Sequence, residues 1–301
     1  MRILVTGGAG FIGSKICYSL HSSGHSVVAI DNLSTGSESR VADKGFDFMK
    51  IDILDSDSLH GVFRDGVDLV IHCAAQKDVR YSISCPIADC MTNIIGSIQL
   101  MEAMVRHGCG RIIFLSSAGA LYLLRNGETH ATEDSLVRPV SPYGLSKLAF
   151  EQYLHYYKKQ YGIKYAILRL ANVYGADDTK SALSIFKRLA IIGERINVNG
   201  GGQIRDFIHV SDVVSAVRWT INREGVYNVG TGTGTSIIDA ANLIRKIYDP
   251  HSRSEIIISP MVKGEVVRSV VSPERLYRTG WWPRVGLIEG LETVDNSFVL
   301  S

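Results

Sequence analysis

The first dozen residues constrain this chain most. Ile3, Leu4 and Val5 form a short apolar run, as expected of a strand covered on both faces. Thr6 to Gly10 is a glycine-rich turn, and from Phe11 the residues Phe11, Ile12, Ile16 and Leu20 recur at helical spacing. A strand, a glycine turn and a helix N-terminus make an anion site, because backbone N–H groups and the positive helix end face one point. Gly7 allows the tight turn, Gly10 lets backbone approach a phosphate, and Gly13 lets the helix pack on the strand. The spacing is Gly-x-x-Gly-x-x-Gly, not the Gly-x-Gly-x-x-Gly of the standard fingerprint, so a ligand-free glycine turn is the alternative for the triplet alone. A second apolar run, Val27 to Ile30, ends in Asp31, 18 residues after Gly13, against about 20 in dinucleotide-binding units. A carboxylate there accepts hydrogen bonds from an adenosine ribose and repels a 2′-phosphate, which predicts NAD over NADP.

Further strands are expected at Phe46 to Ile51, Val67 to His72, Arg111 to Leu115 and Ile163 to Leu170, separated by helix-length crossovers. One such crossover, Pro86 to Arg106, places Ile94, Ile98, Met101 and Val105 on one helical face. Asp55 and Asp57 are candidate caps of the helix after the third strand. This alternation predicts an α/β fold: a Rossmann-type, doubly wound parallel sheet covered on both faces. Residues 118 to 140 are polar and irregular and hold Asn126-Gly127. Beyond Tyr174 the elements shorten. The expected division is an NAD-binding domain over 1–174, with returning segments from about 205–229, and a smaller C-terminal α/β substrate domain over 175–301.

Composition adds exclusions. A formal charge of +2 among 301 residues supplies no strong field for nucleic acid or a membrane surface. No apolar run reaches the roughly 18 residues of a membrane helix. Five cysteines in no metal-like spacing, with no signal peptide, point to a reducing, cytoplasmic setting. No His/Cys/carboxylate cluster has metal spacing.

Tyr143 and Lys147 stand four apart on a predicted helix that starts near Ser141-Pro142, so they share one face. A free tyrosine, with a pKa of about 10, is a poor base, and a nearby ammonium favours the phenolate. The pair is a candidate general base; an exposed helix with unrelated Tyr and Lys is the alternative.

With these residues assembled, the chain resembles the extended short-chain dehydrogenase/reductase superfamily, in its NAD-dependent sugar epimerase/dehydratase branch, near the UDP-glucose 4-epimerases. The resemblance runs almost end to end. It rests on Thr6 to Gly13, Asp31 to Gly36, Asp52-Ile53, His72 to Ala75, Asn93 to Ser97, Ser141 to Lys147, Arg169 to Gly175 and Arg205 to Val213. It implies cofactor roles for Gly7, Gly10, Phe11, Ile12 and Gly13 at the pyrophosphate. Asp31, Asn32, Ser34, Thr35 and Gly36 would serve the adenosine ribose, and Asp52 and Ile53 the adenine. Cys73, Ala74, Ala75, Lys77, Asn93, Ser116 and Ala171 would lie along the cofactor. Tyr143 would be the acid/base and Lys147 would hold the nicotinamide ribose. Ala118, Tyr143, Asn172, Arg205, Arg268 and Ser269 would face a nucleotide sugar, Arg205 by pairing with its diphosphate, unless it pairs with a neighbouring Asp. A homodimer through helices near 86–107 and 141–161 is implied; the same apolar faces could instead be core.

Two departures stand out. Ala118 occupies the place of a Ser or Thr that the family uses beside its tyrosine, and a methyl cannot donate a hydrogen bond. Tyr143 then acts directly, or Ser117 or a water takes the part. Val262 replaces an Arg that pairs with the nucleotide diphosphate; Lys263 and Arg268 are candidate substitutes, although Lys lacks the bidentate fork. Gly119 and Ala120 replace the acidic residues of 4,6-dehydratases and UDP-glucuronate decarboxylases. Small Ser269, where some 4-epimerases carry Tyr, leaves room for an N-acetyl or other 2-substituent. The expected activity is NAD-dependent 4-epimerisation of a UDP-hexose or UDP-N-acetylhexosamine through a 4-keto intermediate. The alternatives are a 4-keto reductase or sugar dehydrogenase with exchangeable NAD, and a non-catalytic NAD-binding protein. His72 is expected to be a satisfied core residue, not a catalyst.

Overall fold

A computed structural model describes residues 1–124, 127–261 and 266–293. Six strands come first: Arg2–Thr6 (β1), Ser26–Asp31 (β2), Asp47–Lys50 (β3), Leu69–His72 (β4), Arg111–Ser117 (β5) and Lys164–Leu170 (β6). Seven more follow among the described residues: Asn172–Tyr174 (β7), Ile196–Asn199 (β8), Ile204–His209 (β9), Gly225–Val229 (β10), Gly234–Ser236 (β11), Ile256–Ser259 (β12) and Arg268–Ser269 (β13). The large sheet has the order β10-β6-β5-β4-β1-β2-β3, with β1 parallel to both β2 and β4. Ile3 to Val5, Val27 to Ile30 and Leu69 to Ile71 are buried throughout, which is why these strands are continuous apolar runs. The strand order reverses between β1 and β4, and ligands of such sheets bind at that point, outside the strands' carboxyl ends.

The chain divides into two compact units. The first comprises Met1–Tyr122, Leu136–Arg169 and Val214–Tyr227; the second comprises Leu123–Ser135, Leu170–Val213 and Asn228–Ser301. The expected boundary at Tyr174 therefore moves back to Arg169, because β7 pairs with β9 in a smaller sheet. The returning segment is shorter than expected for the same reason: β9 belongs to the small sheet, ordered β11-β9-β13, while β10 joins the large one. Residues 123–135, expected as a loop of the first domain, group with the second unit, where the Ala131 and Ser272 backbones hydrogen-bond. Asn126 lies outside the described residues.

Local rules account for most element ends. Asp55 caps the helix Ser56–Phe63 by accepting from the Ser58 N–H, and Asp57 sits in its first turn instead. Ser141 caps Pro142–Tyr161 at the Gly144 N–H, and Gly162, left-handed at φ 73°, ends it. The stretch 86–106 is not one regular helix: Pro86–Cys90 and Ser97–Arg106 flank a wider π turn over Met91–Gly96. The extra residue per turn shifts the buried face to Asn93, Ser97, Leu100, Met101 and Met104, leaving Ile94, Ile98 and Val105 only partly covered.

Candidate active site

In the first unit, the loop after β1 meets the loop after β4. Gly7 has φ +66°, and a Cβ there would lie 2.7 Å from the Ala74 nitrogen. A Cβ at Gly13 would lie 2.1 Å from the Gly7 carbonyl oxygen, so only glycine lets the helix start this close to the turn. At Gly10 the nearest atom to such a Cβ is the Gly7 carbonyl oxygen, at 3.0 Å. Gly10 opens the helix Phe11–Ser22 with no side-chain cap, which leaves its first turn as an N–H cradle headed by Phe11 and Ile12. The cradle and the close-approach glycines fit a dinucleotide's pyrophosphate.

Asp31 ends β2 beside this turn. Its carboxylate accepts from the Ala9 N–H at 3.1 Å and the Leu33 N–H at 2.8 Å. Gly36 lies against it: a Cβ there would be 2.9 Å from a carboxylate oxygen. Asn32 donates to Asp52 at 2.8 Å and accepts from the Ser34 N–H, so residues 32–34 are tied to the end of the third strand. Asp52 also accepts from the Leu54 N–H, and Ile53 is buried, with Gly96 pressed against it. Ser34, Thr35 and Lys77 are not buried.

Below the β4 loop, His72 is held at both ring nitrogens. Ala74 N–H donates to the Thr6 hydroxyl, which lies 2.7 Å from His72 Nδ1. His72 Nε2 lies 2.9 Å from the Ser97 hydroxyl, which itself donates to the Asn93 carbonyl. Ser97's proton is thereby used, so Nε2 carries the ring proton and Nδ1 accepts from Thr6. Burial, then the nearby Lys147 charge, push the imidazole down to about 3, so it is neutral and structural, as the sequence suggests.

Tyr143 and Lys147 do share one face of the helix Pro142–Tyr161. Lys147 Nζ donates to the Leu115 carbonyl at 3.0 Å and sits 4.6 Å from the Phe114 ring centre and 5.9 Å from that of Tyr143. Burial lowers the ammonium to about 8 against the opposing effects of Cys73, Asp89 and Glu151. The expected lowering of the Tyr143 pKa is not what the structure gives. Burial raises the phenol to about 12 and Asp89 adds to it, while a hydrogen bond from Ser117 works the other way. Desolvation outweighs the ammonium, which is turned toward Leu115 and Phe114.

Ser117 thus supplies the hydroxyl that buried Ala118 cannot. Ser116, one residue earlier on β5, points to the other side, as alternation requires. Its hydroxyl donates to Glu151 at 2.6 Å, and Glu151 forms a buried ion pair with Arg169. Ser116's side chain is therefore committed away from the expected cofactor groove. Asn93 is committed too: its amide accepts from the Gln76 N–H at 2.8 Å and donates to the Gln76 carbonyl at 2.9 Å. It clamps the segment after Cys73, Ala74 and Ala75. Cys73 is a thiol that burial pushes up to about 12. Sequence reading missed Asp89 and Gln76; the Asp89-to-Asn93 spacing of four on a helix was the available signal.

In the second unit, the small sheet gathers the other expected residues. Asn172 is opposite Phe207, Ser269 opposite Arg205, and Thr235 opposite Arg205 from the other side. Alternation therefore sets Asn172, Arg205, Ser269 and Thr235 on one face. Arg268 falls on the other face with Ile204, and its Nε donates to the Thr129 carbonyl at 2.9 Å. Arg268 and Arg205 thus stand on opposite faces of the small sheet by strand parity. Ala171 leads into β7, its N–H donating to the Val229 carbonyl. Asp206, next to Arg205, accepts from Thr231 and the Gly232 N–H. Val262 and Lys263 lie outside the described residues. Among the described residues no group of His, Cys, Asp or Glu could hold a metal ion, and no helix is long and apolar enough to cross a membrane.

Residues 3–230 match the model of the NAD dependent epimerase/dehydratase family. A putative UDP-glucose 4-epimerase of Methanocaldococcus jannaschii is 38% identical over 98% of this chain and 97% of that protein. The UDP-glucose 4-epimerase of Thermotoga maritima, solved with UDP-glucose, superposes with a TM-score of 0.93 at 36% identity, covering 98% of this chain and 97% of that one. The Thermus thermophilus UDP-glucose 4-epimerase, solved with NAD, superposes equally well, at 0.93 and 36%, with the same coverage.

Proposed function

The chain belongs to the NAD-dependent epimerase/dehydratase family, and from that premise we propose that it interconverts the C4 epimers of a UDP-linked hexose through a 4-keto sugar. The observation that carries the reading is Ser117 bonded to Tyr143 on the face shared with Lys147. That pairing supports Ser117 as the hydroxyl beside the tyrosine, since Ala118 has none.

The residues would divide the work as follows. The first-turn N–H groups of Phe11 and Ile12, with Gly7, Gly10 and Gly13, would hold the pyrophosphate of NAD. Asp31, Asn32, Ser34, Thr35 and Gly36 would hold its adenosine ribose, Asp52 and Ile53 its adenine, and Cys73, Ala74, Ala75 and Lys77 would line it. NAD, when bound, supplies the hydride acceptor at C4 and gives the hydride back. Tyr143 takes the proton of the 4-hydroxyl and later returns it. Ser117 donates to the phenol oxygen and holds it in place. Lys147 anchors the nicotinamide ribose and keeps a positive charge near the phenol. Asn172, Arg205 and Ser269 on the small sheet would bind the nucleotide sugar, Arg205 through the diphosphate. The small side chain of Ser269 supports including UDP-N-acetylhexosamines in the proposed range.

A proton NMR time course with UDP-glucose, UDP-N-acetylglucosamine and no added cofactor tests this. Appearance of the C4 epimer is the expected outcome. Absence of product with every UDP-hexose, in protein that binds NAD, would sink the reading and favour the exchangeable-cofactor reductase.

The proposal includes a cytoplasmic homodimer. Ile87, Met91 and Ile95 are exposed on one helical stretch, and Leu145 and Tyr156 on Pro142–Tyr161, whose other side is core. Large apolar side chains exposed in register on two helices suit burial by a second copy. Light scattering should give twice the 33.0 kDa chain mass, and Ile87→Glu with Leu145→Glu should give one; a wild-type monomer at micromolar concentration removes the dimer.

A further inference from the structure

Asp89 is buried to 1% exposure in the helix Pro86–Cys90 and is not among the groups proposed to touch cofactor or sugar. One carboxylate oxygen accepts from the Gln76 side-chain amide at 2.8 Å and from Asn93 Nδ2 at 3.0 Å. The other oxygen is buried and has no hydrogen-bond partner among the described residues. A buried carboxylate oxygen without a donor is costly and calls for an account. The bonded side has an evident purpose. Gln76 Nε2 also donates to the Asp78 carbonyl, and Gln76 Oε1 accepts from the Asp78 N–H. Asn93 grips the Gln76 backbone from both ends and donates to Ser146 at 3.2 Å, whose hydroxyl in turn donates to the Tyr143 carbonyl. One carboxylate thus ties the segment after β4 to the first turn of the helix that carries Tyr143 and Lys147.

We propose that Asp89 is a positioning residue of this site: its bonded oxygen holds the 76–78 segment against the catalytic helix, and its unpartnered oxygen supplies buried negative charge behind the Tyr143–Lys147 pair. The inference rests on the reading of that pair as the acid/base machinery. Removing the two hydrogen bonds alone would loosen the segment. Removing the charge alone would leave the Lys147 ammonium with fewer opposing charges. The groups that act on Lys147 are Cys73, Asp89 and Glu151, which favour its charged form, and Lys147 in turn acts on His72. Cys73 and His72 are neutral at working pH, and Glu151 is taken up by Arg169. Asp89 is therefore the one group of that set whose charge is not already paired. Its charge also disfavours the Tyr143 phenolate, as a like charge does.

The test is binding of NADH by fluorescence from pH 6 to 10, on the full chain freed of carried-over nucleotide. Wild type should lose affinity as pH rises past about 8, where Lys147 gives up its proton. Asp89→Asn keeps the shape and the acceptor oxygen but not the charge, so the loss should begin about one pH unit lower. An unshifted onset, or a wild type with no loss in this range, overturns the proposal. Gln76→Leu keeps the charge and cuts the tie: affinity should fall about tenfold at every pH with the onset unmoved. This second variant decides the matter if Asp89→Asn does not fold, since a shifted onset or unchanged affinity would then overturn it. Turnover is read separately. A shifted onset in a chain that epimerises nothing removes the proposed reaction and leaves Asp89's role; normal epimerisation with an unshifted onset does the reverse.

Discussion

Ser117 bonds to Tyr143, and Ala118 beside it has no hydroxyl to offer. A tyrosine raised to about 12 by burial is a weak base at neutral pH, and each donor or positive charge near its oxygen helps. Ser117→Ala should therefore lower kcat by roughly ten- to a hundredfold, and Tyr143→Phe by about a thousandfold, with NAD retained in both. The NMR assay reads both rates, and the fluorescence of nucleotide released and reduced reads its retention. If Ser117→Ala turns over at the wild-type rate, the hydroxyl is idle and Tyr143 works alone. The sequence offered Ser117 as the stand-in, and the parity of β5 turns Ser116 to the other side, onto Glu151.

At the scale of elements, the helix Pro142–Tyr161 is anchored to the sheet by charge as well as by Phe150 and Leu154. Glu151 bonds Ser116 on β5 and Arg169 on β6, and Arg169 donates to Tyr122 at 2.7 Å. The pair is buried, so deleting one partner strands the other. Glu151→Ala should cost about 3–5 kcal/mol, seen as a lower denaturation midpoint in urea. A change under about 1 kcal/mol would mean that Arg169 finds water or another acceptor. The stretch 86–106 carries a different lesson. Its apolar spacing reads as one helix, yet the π turn at Met91–Gly96 changes the buried face and turns Asn93 onto Gln76. Periodicity does not reveal one extra residue in a turn, because the same apolar spacing is compatible with backbone bonds to either the fourth or the fifth residue.

For the molecule as a whole, His72 links folding to pH. It bridges β1 through Thr6 and the Ser97 turn, and burial holds it neutral down to about 3. In the unfolded chain it binds a proton below about 6.5. Between those values the unfolded state carries more protons, so stability is complete above about 6.5 and is lost as pH falls toward 3, by up to about 1.4 kcal/mol per pH unit. Urea titrations at pH 7, 5.5 and 4.5 should show that slope, and His72→Gln should flatten it; an equal slope in both would assign the loss to other groups. The glycine turn, the acid at the end of β2, the alternating α/β pattern and the Tyr143–Lys147 spacing were legible in sequence because each is enforced locally, by φ, by period or by chain connectivity. Where the fold joins distant segments, only tertiary structure decided. It moved the domain boundary to Arg169, put Arg268 on the opposite face from Arg205, turned Ser116 into a buried ion-pair network and raised the Tyr143 pKa where a lone ammonium would lower it. Strand parity and burial are properties of pairing and packing, and neither exists until the strands have met.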